Sequence, residues 1–431
     1  MLVYALHRRI MPPNNRLSDL TAAFAEVTRM KSLPQDSWPK NSALHNASPS
    51  NSSVAAGSSS ANSSMDRRQF LAASGGLLAA TVPGNSIVDH AAESAVSSAP
   101  ALKPKPSGNL RKIPIGVFDP VYEKLSLDAM LDKVSALGLE AMEIGTGGYP
   151  DNKHCPLDDL IADRAKAKAW QKKFEDRGIH VATLSCHGNP IHPDASIAKK
   201  DIDTFRKTVL LAEMLDVKVI VGFSGCPGGT PQDTQPNWIT YRWPPEYAKM
   251  QDWQWKEKVV PYWKEAAKYA REHGVKRLAL EMHPNFVVYN PRTLIKLREA
   301  VGEEIGANND FSHLFWQGCD PVEVIHFLGK QGAIHHAHMK DTVFFPENRD
   351  KYGVLNFAFE TNELDTASET FRAVGYGHGA GLWKSIIKAY MDVGYEGILS
   401  IENEDPILPG EVGVERAVYV LKNVRNEILG A

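Results

Sequence analysis

From residue 113 to residue 402 the chain repeats one pattern: a short run of β-branched and apolar residues, then a longer stretch whose apolar positions return with helical period. The short runs predict strands over Ile113–Phe118, Leu139–Ile144, His180–Ser185, Lys218–Phe223, Arg277–Met282, Ile305–Asp310, Ala333–Met339 and Gly397–Glu402. Among the longer stretches, Ser126–Leu137, Asp158–Arg177, Ile202–Leu215 and Asp252–His273 predict helices. Gly138, Gly178, Gly274 and Gly394 each close such a stretch shortly before a strand, as a helix stop requires. Alternating strands and helices predict a parallel sheet, and eight repeats predict closure into a single-domain α/β fold, a (β/α)₈ barrel. The competing architecture, an open doubly wound sheet, usually carries a glycine-rich phosphate loop after its first strand. Val117-Phe118-Asp119-Pro120 is not one.

The first hundred residues do not share the pattern. Residues 41–64 are Ser-, Asn- and Ala-rich with almost no large apolar side chains, too few to offset the entropy of ordering, so disorder is expected there. MDRRQFLAASGGLLAATVPG follows, with Arg67 and Arg68 ahead of a short, glycine-broken apolar run and a small-residue tail. This segment resembles a twin-arginine export signal, and the run is too short for a membrane span. Met65 stands where an initiator would, so translation is expected to begin there, with residues 1–64 a wrongly included upstream segment. Residues 65–108 are then signal and linker, 109–431 the barrel, and the destination the periplasm or the exterior.

Bulk properties narrow the classes of function. A net charge of −3 over 431 residues gives no basic face for nucleic acid. Hydrophobic content of 43% suits a large globular core. Cys155, Cys186, Cys226 and Cys319 form no CxxC pair, which argues against a disulfide framework or a cysteine-ligated zinc and for separate thiols. The expected partner is a small molecule, and a homo-oligomer is compatible with the sequence.

In a (β/α)₈ barrel the chemistry gathers where the C-terminal ends of the strands meet. Those ends carry Glu143, His187, Glu281, His283, Asp310, His313, His338, Glu402 and Glu404. Carboxylates and imidazoles that end apolar strands are costly to bury unless paired or bound to a cation. One alone is as readily an ion-pair partner as a functional group; Glu, Asp, His and Glu on the last four strands in turn form a candidate metal site. Three carboxylates and one imidazole suit one Mn²⁺, Mg²⁺, Co²⁺ or Zn²⁺, and not copper or an iron–sulfur cluster.

At LALEMHP, NNDFSHLFWQGCDP, HAHMKD and SIENEDP the chain resembles the xylose isomerase-like TIM-barrel superfamily of sugar isomerases and epimerases, from about Ile113 to the C-terminus. The resemblance implies Glu281, Asp310, His338 and Glu402 as metal ligands and His313 as a substrate contact. Strand alternation puts His336 and His338 on one face and His335 on the other; His338 is selected over His336 by the resemblance, through its H-x-K-D pattern. His187 and Glu143 are expected either to line the substrate pocket or to stand behind the ligands. Lys340 and Asp341 read as a strand-end ion pair. Ketose 3-epimerases of the superfamily carry Glu and Arg six residues after the first ligand and the ligand His; here Val287 and Phe344 stand there, against a free ketohexose substrate. The Trp-, Pro- and Tyr-rich stretch 226–255 and Phe315-Trp316 offer aromatic faces that suit either sugar stacking or capping of the barrel.

The expected chemistry is proton transfer beside a carbonyl through a metal-stabilised enediolate, with Glu281 and Glu402 as acid and base. Return of the proton to the opposite face gives epimerisation, to the neighbouring carbon isomerisation, and loss of a β-hydroxyl elimination. Two other classes fit the same fold: an exported, non-catalytic carbohydrate-binding barrel, and an endonuclease IV-like hydrolase. The second would need more His and Asp ligands and a more basic surface.

Overall fold

The computed structural model describes residues 111–149, 151–358 and 361–430. The expected signal, its arginine pair, the Met65 start and the linker lie outside these residues.

The strands are β1 (Ile115–Phe118), β2 (Ala141–Gly145), β3 (His180–Ser185), β4 (Val219–Phe223), β5 (Arg277–Glu281), β6 (Ile305–Asn308), β7 (Ile334–His336), β8 (His338–Met339), β9 (Asp341–Phe344), β10 (Glu369–Arg372) and β11 (Leu399–Ile401). One sheet runs in the order β7-β6-β5-β4-β3-β2-β1-β11-β8 with every pair parallel. Its two ends, β7 and β8, are halves of a single stave interrupted at Ala337, so the sheet closes on itself as an eight-stave barrel. The carbonyl of His336 accepts from Asn309 on one side, and that of Ala337 accepts from Ser400 on the other. The seventh strand, expected whole, is divided because its two halves serve different neighbours.

Strands covered on both faces need apolar side chains throughout, which explains the β-branched runs. Ile115, Val117, Ile144, Leu184, Val221, Leu278, Ile305, Met339 and Ile401 are all buried, and each such side chain contributes roughly 1.5–3 kcal/mol on leaving water. The helices pack outside, beginning with α1 (Leu127–Ala136), capped by Ser126 through Ala129 N–H. The stretch expected as one helix over Asp158–Arg177 is two, α2 (Leu157–Ala162) and α3 (Arg164–Glu175). Asp163 divides them: its backbone is extended and its carboxylate accepts from Ala165 and Lys166 N–H, the competition by which Asp interrupts helices. After α3 and α4 (Val260–Glu272), Gly178 and Gly274 take φ of 71° and 77°, a conformation that turns the chain into the next strand at no steric cost.

One element escaped the pattern. β9 and β10 form an antiparallel ribbon after the seventh stave, pairing Phe344 with Glu369 and Thr342 with Phe371. The four cysteines are free thiols, and no helix among the described residues is long and apolar enough to cross a membrane.

Candidate metal centre

Glu281 ends β5, Asp310 lies just past β6, His338 opens β8 and Glu402 follows β11. One ligand atom from each lies within 4.8 Å of all the others. His338 Nδ1 is 3.1 Å from Glu402 Oε2, 3.5 Å from Glu281 Oε2 and 3.9 Å from Asp310 Oδ2. A divalent ion with bonds of about 2.1 Å sets neighbouring ligands roughly 3.0–3.4 Å apart, so a small contraction would close this set on one cation.

Local structure aims each donor. Asp310 caps a short 3₁₀ turn, its Oδ1 accepting from Ser312 N–H at 2.9 Å. Its Oδ2, buried, faces Lys340 Nζ at 3.0 Å and the imidazole of His338. His338 sets Nε2 2.9 Å from Glu143 Oε2, which leaves Nδ1 toward the three carboxylates. Asn308 Nδ2 lies 3.0 Å from Glu281 Oε2 and 3.1 Å from His338 Nδ1, fixing the two relative to each other. The donor set therefore fits a divalent cation on the chemistry of its atoms, three carboxylates and one imidazole nitrogen facing them.

Charge follows from the same contacts. Burial opposes ionisation of Glu281, but the close approach of His187 and His313 and the charges of His338 and Lys340 outweigh it and hold its pKa well below the carboxylate range. Glu402 is lowered as well, burial being overcome by Lys340 and His338. Asp310 goes the other way, because burial outweighs the help of Lys340 and His313. Burial disfavours the imidazolium of His338, yet Glu143 and Glu402 lift it well above the usual histidine range. A proton on His338 thus occupies electrostatically what a metal would occupy.

The expected Lys340–Asp341 pair is not formed. Lys340 Nζ lies 2.6 Å from Glu402 Oε2, 2.9 Å from Glu404 Oε2 and 3.0 Å from Asp310 Oδ2, with the Phe371 ring 4.5 Å away. Asp341 turns oppositely, accepting from the backbone N–H groups of Gly375, Gly377 and His378 and lying 2.7 Å from His378 Nδ1. Adjacent residues on an extended segment face opposite ways, which explains the separation.

Of the two positions left open for Glu143, the barrel interior holds it behind His338, completely buried. Besides His338 it accepts from His336 Nε2 at 2.7 Å, Ser400 Oγ at 2.7 Å and Ser185 Oγ. His187 sets Nε2 3.4 Å from Glu281 Oε2, and neither of its ring nitrogens has a hydrogen-bond partner among the described residues. His313 puts Nε2 3.1 Å from Glu281 Oε1. All the expected site residues therefore gather around Glu281 and His338. The reading by strand ends missed Asn308, Ser185, Ser400 and Phe371 and gave Lys340 the wrong partner. Alternation along HAHMK contained the signal for Lys340, which shares a face with His336 and His338; the ribbon residue Phe371 left none.

Comparison with known proteins agrees with the architecture. The family model described as xylose isomerase-like TIM barrel matches residues 131–424. The uncharacterized protein YfiH of Bacillus subtilis (strain 168) is 38% identical over 304 residues, covering 69% of this chain and 95% of that one. Among solved structures, the probable 3-DHS dehydratase AsbF from Bacillus anthracis is similar at a TM-score of 0.50 and 17% identity, covering 72% of this chain and 99% of that one. A D-tagatose 3-epimerase-like protein has a TM-score of 0.50 and 19% identity, covering 73% of this chain and 100% of that one. At such identities these two likenesses concern the fold alone.

Proposed function

This chain belongs to the xylose isomerase-like TIM-barrel family, and from that membership we propose that it is a divalent-metal-dependent isomerase or epimerase of a sugar or sugar derivative. The reaction is proton transfer at a carbon beside a carbonyl, through an enediolate. The observation that carries the reading is the convergence of ligand atoms from Glu281, Asp310, His338 and Glu402 within 4.8 Å at the barrel's C-terminal face.

Those four residues hold the cation, with Mn²⁺, Mg²⁺, Co²⁺ and Zn²⁺ all compatible with the donor set. When bound, the dication supplies Lewis-acid polarisation of the substrate carbonyl and steadies the charge that develops on its oxygen. The protein does the rest. Glu281 and Glu402 stand on staves separated by β6 and the split seventh stave, so their carboxylates approach the substrate from different sides. Glu281, held ionised, removes the proton and Glu402 returns it, or the reverse. Lys340 keeps Glu402 charged and in place at 2.6 Å. His187 and His313 border Glu281 where substrate hydroxyls would be recognised. The Arg67–Arg68 segment supports export of the folded chain as part of the same reading.

The test is incubation of cation-loaded protein in D₂O with a panel of sugars, ketosugars and oxidised glycosides, read by NMR. Deuterium entering one carbon beside the carbonyl is expected. A protein that carries its cation and exchanges no carbon-bound hydrogen in any of them overturns the reading.

A further inference from the structure

We propose a second cation site, sharing Glu281 with the first and completed by His283 and His313, that takes zinc or cobalt. Glu281 has two oxygens with separate surroundings. Oε2 faces Asn308 and His338, the first site. Oε1 lies 3.1 Å from His313 Nε2. One ligand atom from each of Glu281, His283 and His313 lies within 4.8 Å of the other two.

Two further observations separate this trio from a chance cluster. His313 Nε2 is buried 3.1 Å from Glu281 Oε1 and 3.5 Å from Asp310 Oδ2, and neither contact has the geometry of a hydrogen bond. A buried polar atom left this way is costly unless something occupies the space before it. His283 is oriented differently but to the same end. Its Nδ1 lies 2.6 Å from the carbonyl oxygen of Pro284, which can only accept, so Nδ1 carries the hydrogen and Nε2 keeps its lone pair. That is how outer hydrogen bonds prepare metal-ligating imidazoles. The two rings are 4.1 Å apart and inclined at 59°, so they do not stack on each other. Phe223, Phe286 and Phe371 wall them in, which lowers the local dielectric and strengthens any ligation.

The donor chemistry differs between the two sites. Three carboxylates with one imidazole favour a hard cation; two imidazoles with one carboxylate, leaving a coordination position open, form the donor set of hydrolytic zinc sites. Glu281 then bridges the sites through its two oxygens. His313 becomes a ligand, where the family resemblance makes it a contact to a substrate hydroxyl.

The inference does not depend on the isomerase reading: an ion in the second site takes up the Glu281 oxygen that would otherwise move the proton, and one experiment tests both metal sites. The full chain is stripped with chelator, loaded with zinc, desalted and assayed for bound metal. About two zinc ions per chain are expected for the wild type, and about one for His283→Asn or His313→Asn. Cobalt-loaded wild type should show the intense visible absorption of a four-coordinate, nitrogen-rich site, absent from either variant. One ion in the wild type, lost on Asp310→Asn and unaffected by His283→Asn, overturns the second site and leaves the first standing. No retained ion overturns both. Near-UV circular dichroism reports folding of the variants, and if they fail to fold, the wild-type count and cobalt spectrum decide the matter alone.

Discussion

Glu143 reaches His338 from inside the barrel, its Oε2 2.9 Å from Nε2 of the imidazole, and this contact determines which ring nitrogen is left for a cation. Three other donors hold Glu143 in place, and its pKa lies well below the ordinary carboxylate value: burial opposes the charge, and His338 and His336 outweigh it. Glu143→Gln keeps the shape and removes the charge. Its effect should be a roughly 10–100-fold loss of metal affinity, measured by competition with a chromophoric chelator. Unchanged affinity would mean that the carboxylate only fills space.

The same pair sets a pH dependence. Carboxylates around His338 raise its pKa, so in the metal-free protein a proton sits where the metal must bind. Binding releases that proton, and apparent affinity should rise with pH while His338 remains protonated in the free protein, by about tenfold per pH unit for one proton displaced. Isothermal titration in buffers of different ionisation enthalpy counts the protons released. A count of zero at neutral pH would remove the argument.

Glu281→Gln and Glu402→Gln address the proton transfer itself. Each retains the side chain's volume and loses the base. Turnover should fall by about 10²–10⁴-fold, with the circular dichroism spectrum unchanged. The two losses should appear in different half-reactions if Glu281 and Glu402 serve opposite sides, visible as unequal effects on deuterium wash-in from the two directions. Full activity in both variants would sink the assignment.

Much of this site is legible in the sequence, and the residues show why. Glu281, Asp310, His338 and Glu402 end apolar strands, where a charged group cannot be explained by solvent exposure, and barrel topology brings strand ends together whatever lies between them in sequence. Depth was harder to read. Glu143 also ends an apolar strand, but the side chain's place behind His338 depends on barrel curvature and on the small hydroxyls of Ser185 and Ser400, and no periodicity encodes either. Lys340 was misassigned because its neighbour Asp341 offered a local partner, while its actual partners come from β6 and β11. The β9–β10 ribbon was missed for a related reason: its strands lie far apart in sequence and carry no hairpin turn signal.

Glu369, on that ribbon, provides a stability test away from the metal. Its Oε2 is buried with no hydrogen-bond partner among the described residues, and burial alone raises its pKa from 4.5 to about 8. The sign follows by linkage. Between those two values the folded chain keeps a proton that the unfolded chain has released, so the contribution of Glu369 to stability is greatest below pH 4.5 and is lost as pH rises to about 8. Glu369→Gln removes the ionisation. Its urea midpoint should match wild type near pH 4.5 and exceed it at pH 8.5, a gain on the order of a few kcal/mol. A pH-independent difference would show that the carboxyl finds a partner on folding.

Lys340 tests whether the centre is built for a cation at all. Its ammonium sits among Asp310, Glu402 and Glu404 and over the Phe371 ring. Lys340→Met keeps the aliphatic stem and leaves those carboxylates facing one another. Without metal, the loss of one partner from a buried ionic cluster should cost roughly 3–5 kcal/mol. A dication held by Asp310 and Glu402 restores positive charge to the same oxygens, so saturating metal should recover part of the loss. It should also raise the melting temperature of the variant more than that of the wild type. Melting curves for both proteins, with chelator and with excess Mn²⁺, measure the two differences. Equal loss under both conditions would mean that metal and ammonium do not share those carboxylates, and that the cluster around Lys340 is structural.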